Sequence, residues 1–252
     1  MKPFLLLLCA FAVAGCKDET GSFDFAGASN TGKNGSITRF AIHNDYMYAI
    51  DLNYLRVYNL VNDDPYLVHS LEIDYGLETI FIHGNRVFLG AVDGVYLVNI
   101  DNPAVPFFVE KLEHHISCDP VVVQGNYAYS TQRVTSVGCG NAWQESVLAV
   151  YNVDPGNENG NQAETILPME EPYGLAVENE WLFVCDAGRN AIVVYELVTP
   201  ETPVEKTTTP ITQPRDIILL PPYMIVSTQN GFEIFNYADP LNMQHLSSLV
   251  LN

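Results

Sequence analysis

The chain has 252 residues, of which 30 are Asp or Glu and 11 are Lys or Arg, so its formal net charge is −19 at pH 7. Such an acidic surface repels nucleic acids and anionic lipid headgroups, so we predict no nucleic-acid partner. The length is ample for one sizeable domain that follows a leader segment.

The first sixteen residues, MKPFLLLLCAFAVAGC, have the character of a bacterial lipoprotein signal. A Lys near the start precedes an apolar run that is too short to span a bilayer comfortably, and small residues stand directly before Cys16. We predict that residues 1–15 are a signal peptide and that Cys16 becomes the lipidated first residue, whose acyl chains anchor the protein to a membrane. An ordinary signal peptide or a short membrane anchor is the alternative.

The residues after Cys16 predict a cellular location and a flexible tether. Lys17-Asp18-Glu19 are similar to the surface-export signal of lipoproteins in some Gram-negative bacteria, and Lys17 argues against retention at the inner membrane. Residues 16–36 are otherwise rich in small and polar side chains, as expected of a flexible tether. The sequence therefore predicts an outer-membrane lipoprotein exposed at the cell surface, with a periplasm-facing orientation as the alternative.

From residue 37 to residue 252 the chain repeats one unit of four short strands five times. In residues 77–112, four runs of β-branched and aromatic residues are separated by short gaps of turn-forming residues, so neighbouring strands should pair antiparallel. The apolar residues that open the first strand of each unit recur at intervals of 40, 41, 54 and 42 residues: Phe40, Ile80, Val121, Leu175 and Ile217. Such a period is typical of β-propeller blades, so we predict an all-β fold, a β-propeller of five four-stranded blades.

The turns that follow the third strands carry a family resemblance. LRVYNLVNDDP at 55–65, LVNIDNP at 97–103 and FEIFNYADP at 232–240 resemble the LVIVD-repeat family of extracytoplasmic bacterial proteins. The resemblance implies a propeller-type fold over residues 37–252 and no settled activity. Because each unit has its own four strands, closure without strand exchange between the first and last blades is expected, and an open five-unit arc that dimerises is the alternative.

Three cysteines remain after the predicted cleavage and lipidation, in a compartment that permits disulfides. Cys118 precedes the first strand of unit three, and Cys139 lies in a long insertion, residues 133–145, between the second and third strands of that unit. These two segments share one face in a propeller, so a Cys118–Cys139 disulfide is predicted. Cys185 occupies a strand position and is predicted to be a buried free thiol.

Polar residues recur where the innermost strands of a propeller begin. Two places before the apolar residues that open each unit stand Thr38, Glu78, Asp119, Tyr173 and Arg215. These positions face the mouth of the central channel, so we predict a small-molecule or peptide site there. Its predicted ligand-binding residues are Arg39, Glu78, Asp119, Tyr173, Arg215 and Asp216. Alternatively, these groups only bind each other and channel water. Trp143, in the insertion, is the predicted exposed contact for a glycan or peptide.

No constellation of catalytic residues or metal ligands stands out, and no cofactor is predicted. His114 and His115 would point to opposite faces of a strand, so we interpret them as surface residues. The leading hypothesis is a lipid-anchored, non-enzymatic binding module at the outer membrane or cell surface, with a protein, peptide or glycan partner. The alternative is a hydrolase or lyase at the channel mouth, with or without a bound cation, in which Asp119 or Glu78 is the base and His115 lies nearby.

Overall fold

The computed structural model describes residues 37–61, 64–74, 76–91, 94–113, 120–134, 145–154, 157 and 162–251. Twenty β-strands form five antiparallel four-stranded sheets, each made of four consecutive strands. The sheets are arranged in a ring as a five-bladed β-propeller, which confirms the predicted fold. The described part of the chain has no helix that is long and apolar enough to cross a membrane.

The blades follow one another along the chain, and each runs from its innermost to its outermost strand. Blade 1 contains β1 (Phe40–His43), β2 (Tyr46–Asp51), β3 (Tyr54–Asn59) and β4 (Tyr66–Glu72). Blade 2 contains β5 (Leu77–His83), β6 (Arg86–Ala91), β7 (Gly94–Asn99) and β8 (Phe107–Glu113). Blade 3 contains β9 (Val121–Gln124), β10 (Tyr127–Gln132), β11 (Val147–Asn152) and β12 (Ala163–Pro168). Blade 4 contains β13 (Pro172–Glu178), β14 (Trp181–Asp186), β15 (Ala191–Glu196) and β16 (Val204–Pro210). Blade 5 contains β17 (Pro214–Leu220), β18 (Tyr223–Thr228), β19 (Gly231–Asn236) and β20 (Gln244–Val250).

The turn between the first two strands of each blade explains where these hairpins form. Four blades place a left-handed residue there, and in each case it is one of the two residue types that tolerate positive φ best: Asn44, Gly84, Gly125 and Asn179. Blade 5 uses Pro221-Pro222 at the same point. The second and third strands of blades 2, 3 and 4 are buried almost throughout, whereas the outermost strands β4, β16 and β20 are mostly exposed.

Buried clusters fill the seams between successive blades. One cluster joins blades 1 and 2, a second joins blades 2, 3 and 4, and a third joins blades 4 and 5. Two tyrosines also bridge seams, since Tyr48 Oη donates to the carbonyl of Pro103 at 2.8 Å and Tyr129 Oη donates to that of Pro200 at 3.0 Å. These two aromatic residues of the second strands therefore pack between blades.

The seam between blade 5 and blade 1 is packed less tightly than the others. The N–H of Ile37 donates to Asp216 Oδ2 at 3.5 Å across this seam. In β1, Ala41 is buried against blade 2, whereas Phe40 and Ile42, which alternate onto the opposite face, are each 53% exposed. No strand is exchanged between the first and last blades over the described ranges, as the self-contained units predict.

Candidate functional site

A cavity lies where the first strands of the blades begin, at one end of the central channel. Its volume is about 330 Å³, and blades 1 to 4 contribute to its wall. We call it the mouth cavity, and it is lined by Ile37, Arg39, Glu78, Thr79, Pro120, Thr131, Arg133, Pro172 and Tyr173. The channel mouth that the sequence predicted is therefore a real recess of metabolite size.

Contacts between neighbouring blades hold the wall of this cavity in place. Between blades 1 and 2, the N–H of Ile80 donates to the carbonyl of Thr38 at 3.0 Å. Between blades 3 and 4, Thr131 Oγ1 donates to the carbonyl of Tyr173 at 2.5 Å. Because these bonds use the backbone of the first strands, they fix the positions of the side chains that point into the mouth.

Blades 4 and 5 approach each other most closely beside Tyr173. A Cβ at Gly174 would lie 2.2 Å from Asp216 Oδ1 and 2.7 Å from Asp216 Cα, distances that no real side chain could accept. Asp216 is itself only 8% exposed. Glycine at position 174 thus lets β13 and β17 pack backbone against backbone, which brings Arg215 next to Tyr173.

Two arginines stack on one tyrosine at the edge of the cavity. The Cζ atoms of Arg133 and Arg215 each lie 3.9 Å from the centroid of the Tyr173 ring. Each ring face has room for one planar guanidinium at that distance, so the two cations lie on opposite faces. Tyr173 Oη donates to Glu171 Oε1 at 2.9 Å, and Arg215 Nη2 donates to Gln213 Oε1 at 3.2 Å. These two hydrogen bonds therefore help to hold the Tyr173 and Arg215 side chains in the stack.

Burial and charge shift the protonation of two groups at the mouth. Burial lowers the pKa of Arg215, as does the charge of Arg133, while the carboxylate of Glu171 raises it. Burial also raises the pKa of the Glu78 carboxyl, and the nearby charge of Arg39 partly opposes this effect. Glu78 consequently holds its proton to higher pH than a solvent-exposed glutamate does.

Arginines are concentrated at the mouth of a protein that is strongly acidic, where they stand beside the carboxyl groups of Glu78 and Glu171. Three of the six arginines of the chain, Arg39, Arg133 and Arg215, gather here although the net charge is −19. A guanidinium stacked on an aromatic ring keeps its N–H donors in its own plane, where they match a carboxylate or phosphate. The arrangement can therefore bind a small anion.

The other three arginines have evident local roles. Arg56 pairs with Asp51, Arg86 donates to a backbone carbonyl, and Arg189 pairs with Glu205. These side chains therefore serve as comparisons for the arginines of the mouth.

The structure brings together most of the predicted site. Arg39, Glu78 and Tyr173 line the mouth cavity, Arg215 stacks on Tyr173, and Asp216 is buried at the same end of the ring. The remaining predicted positions lie outside the described residues, so lipidation, the disulfide, the exposed contact, the choice of Asp119 as the base and the nearby histidine stay predictions: Cys16, Cys118, Cys139, His115, Asp119 and Trp143.

Sequence reasoning missed Arg133 and Thr131. Both stand at the end of the second strand of blade 3 or just after it, and they reach the first strand of blade 4 across a seam. In an antiparallel hairpin, the end of the second strand lies beside the start of the first. A search of both ends of the hairpin would have found these residues.

Metal and thiol chemistry find no support in the described ranges. They contain no group of three or more His, Cys, Asp or Glu side chains that could hold a metal ion. Cys185 is a buried free thiol, as predicted, and burial raises its pKa, so its reactive thiolate is disfavoured.

Comparison with known proteins supports the fold. No protein-family model matches the chain, and no curated protein sequence does. A protein of unknown function from Desulfotomaculum acetoxidans matches with a TM-score of 0.65 at 14% identity, over 83% of this chain and 67% of the other.

Two further matches are described as lactonases. A candidate 6-phosphogluconolactonase from Bacteroides uniformis has a TM-score of 0.62 at 12% identity, over 84% of this chain and 70% of the other. The periplasmic gluconolactonase of Pseudomonas aeruginosa has a TM-score of 0.57 at 14% identity, over 82% and 68%. At such identities the likeness shows the β-propeller fold alone, and the LVIVD-repeat resemblance stays a prediction.

Proposed function

We propose that the protein is a lipid-anchored extracytoplasmic binding module whose mouth cavity takes a small organic anion. The observation that carries this proposal is the convergence of Arg39, Arg133 and Arg215 in a chain of net charge −19. A generally acidic surface repels anions, so a local cluster of guanidinium groups gives one place where an anion is favoured. The preferred ligand groups are a carboxylate or a phosphate.

The stack on Tyr173 supports binding over a purely structural role. Guanidinium groups held against a ring lose less side-chain entropy on binding than free arginines would. The volume of about 330 Å³ suits one metabolite or the end of a peptide.

Calorimetric titration with gluconate and 6-phosphogluconate tests the proposal, since these probes carry a carboxylate and a phosphate. We expect saturable binding that Arg215→Ala weakens by about tenfold, the effect of losing one charge-assisted contact. Arg189→Ala is the matched control, because it removes the same charge from the surface of blade 4. Equal affinities in Arg215→Ala and wild type, or equal losses in both variants, would contradict the proposed site.

The proposed location at the cell surface has a separate test. Cys16 would carry the lipid, with the propeller displayed at the cell surface and a periplasm-facing orientation as the alternative. Intact cells are treated with protease and the chain is followed by immunoblotting, with a periplasmic protein as the control. Loss of the signal while the control survives supports surface display, and protection of a chain that is cleavable after lysis places it in the periplasm.

A second candidate function is a lactone hydrolase at the same cavity. Two observations favour it: the names of the matched lactonases, and the raised pKa of Glu78 beside Arg39. Glu78 would accept a proton from water as the water oxygen attacks the lactone carbonyl, and would return it to the ring oxygen as the ester bond breaks.

Acid release from gluconolactone, measured above the spontaneous rate, tests this candidate. Catalysis should be lost in Glu78→Gln and kept in Glu164→Gln, which changes an exposed carboxylate on β12. A wild-type rate equal to the spontaneous rate removes the hydrolase and leaves the binding proposal intact.

A further inference from the structure

A second recess lies at the opposite end of blade 4 from the mouth cavity. Strand β13 starts beside the mouth and ends at Glu178, where the recess opens between blades 4 and 5 with a volume of about 480 Å³. We call it the seam pocket, and it is lined by Glu178, Asn179, Glu180, Trp181, Phe183, Pro221, Pro222, Tyr237, Ala238 and Pro240. None of these residues belongs to the mouth cavity.

The pocket occurs in a seam that has no tyrosine bridge. The third residue of the second strand is Tyr48 in blade 1 and Tyr129 in blade 3, and each donates to the carbonyl of a proline in the following blade. Blade 4 has Phe183 at this position, as blade 2 has Phe88, and neither side chain has a hydroxyl to donate. The polar bridge that closes two other seams is therefore absent from the seam of blades 4 and 5.

Blade 5 departs from the repeat at the same place. The residue after the third strand is aliphatic in blades 1 to 4, namely Leu60, Ile100, Val153 and Leu197, and in blade 5 it is Tyr237. The Tyr237 ring meets the Phe183 ring edge to face, with centroids 5.6 Å apart and planes at 77°. Both rings are buried, with Phe183 0% and Tyr237 5% exposed, so the half-buried Trp181 supplies most of the aromatic surface that the pocket offers a ligand. We call these three side chains the aromatic wall.

Carboxylates stand around the aromatic wall. Tyr237 Oη donates to Glu178 Oε2 at 2.6 Å, and Glu178 Oε1 has no hydrogen-bond donor among the residues that the structure describes. Glu180 adds a second carboxylate at the rim, on the exposed turn that follows β13. The lining contains no Lys or Arg. Negative charge beside aromatic faces is the environment that an organic cation prefers.

We propose that the seam pocket binds an organic cation, an alkylammonium group that belongs either to a free amine or to a lysine side chain of a peptide. Its charge would lie near Glu178 and its alkyl groups would pack on Trp181 and the prolines. The net charge of −19 favours the approach of such a ligand, whereas the two carboxylates disfavour the anions proposed for the mouth. This inference does not depend on the proposed function of the mouth cavity.

Calorimetric titration of the protein with choline and with a lysine-containing tripeptide tests the inference. The control ligand is 3,3-dimethylbutanol, which has the shape of choline and no charge. We expect saturable millimolar binding of at least one of the two cations and none of the control. Binding of choline alone assigns the site to free amines, and binding of the tripeptide assigns it to peptide side chains as well.

Two variants make the test specific to the pocket. Glu178→Gln keeps an oxygen that can accept from Tyr237 and removes the charge, so it should weaken cation binding by about tenfold. Trp181→Leu should weaken it through the lost ring while Glu178 stays in place. Glu164→Gln, on β12 of blade 3, is the matched control and should bind as the wild type does. No saturable binding of either cation, equal binding of the neutral control, or equal effects of Glu178→Gln and Glu164→Gln would overturn the inference.

Discussion

The two ends of strand β13 differ in charge, in packing and in the kind of ligand they suit. At its start, Tyr173 lies between Arg133 and Arg215 in a seam so tight that only glycine fits at position 174. At its end, Glu178 faces an aromatic recess in a seam that lacks the bridging hydroxyl. One strand thus connects a cationic site with an acidic one. The cationic site depends on close packing between blades 4 and 5, and the acidic site depends on a recess between the same two blades.

The difference indicates which positions of a repeat protein remain available for binding a ligand. Columns that recur along the chain supply interblade contacts, such as those of Tyr48 and Tyr129, and these contacts leave no space for a ligand. Both candidate sites use positions at which the units disagree. The mouth draws on charged residues that vary from blade to blade, and the seam pocket draws on Tyr237, where the other units have an aliphatic residue.

The largest expected effect comes from a substitution at Gly174 that separates β13 from β17. Gly174→Ala places a methyl group 2.2 Å from Asp216 Oδ1 and 2.7 Å from its Cα, so β17 must move away from β13. We expect a loss of about 2–3 kcal/mol in the free energy of unfolding, measured with urea, and weaker anion binding at the mouth.

Gly84→Ala is the control for the substitution itself. Its Cβ meets no atom within 4 Å, but its φ is +58°, so the expected cost of about 1 kcal/mol arises from backbone strain. Anion binding should be unchanged in this variant. If Gly174→Ala were as stable as the wild type, the close approach of the two strands would not support the mouth.

A smaller effect on stability is expected when the tyrosine bridge is removed from one seam or added to another. Tyr129→Phe removes the donor to Pro200 and should cost about 1 kcal/mol of unfolding free energy. Phe183→Tyr adds a hydroxyl to the seam of blades 4 and 5 and should raise stability by less than about 1 kcal/mol while it reduces cation binding. Tyr66→Phe, on an exposed strand, controls for the loss of a hydroxyl. Tighter cation binding by Phe183→Tyr would contradict the role given to the missing bridge.

The smallest effect is the response of the mouth to pH. Since burial raises the pKa of Glu78, the folded state holds this proton more tightly than the unfolded state. The contribution of this group to stability is therefore complete below the unfolded pKa and is lost as pH rises through the folded pKa. We expect Glu78→Gln to be more stable than the wild type at neutral pH and equal to it at pH below the unfolded value.

The affinity of the mouth for an anion should also change as the Glu78 carboxyl titrates. A protonated Glu78 removes a negative charge from the cavity, so affinity for gluconate should rise as pH falls toward the unfolded pKa of glutamate. In Glu78→Gln this pH dependence should flatten. An unchanged pH profile would mean that Glu78 does not face the bound anion.

The sequence was sufficient for the fold because the interblade contacts are the repeat itself. The apolar residues that open the first strands recur with the blade period, and the structure buries Ile80, Leu175 and Ile217. Closure without strand exchange also followed from the sequence, since each unit supplies four strands of its own.

The sites were predicted less completely because they depend on contacts between units. Glu78, Tyr173 and Arg215 were found by their place in the repeat, whereas Arg133 reaches the mouth only across the seam from blade 3. Trp181 packs against the cluster of blades 4 and 5, and the exposed part of its ring lines the seam pocket, which the repeat pattern does not indicate. The missing hydroxyl at Phe183 gives no pattern that a sequence could reveal, since Phe88 of blade 2 lacks it too.

Each sheet of this ring is encoded by one uninterrupted segment of the chain. An in-frame duplication or deletion of such a segment would add or remove a complete blade and would leave no strand without its hydrogen-bonding partners. The gene can therefore change the number of blades by a single recombination event, whereas a propeller closed by strands from both ends of its chain must keep those ends matched.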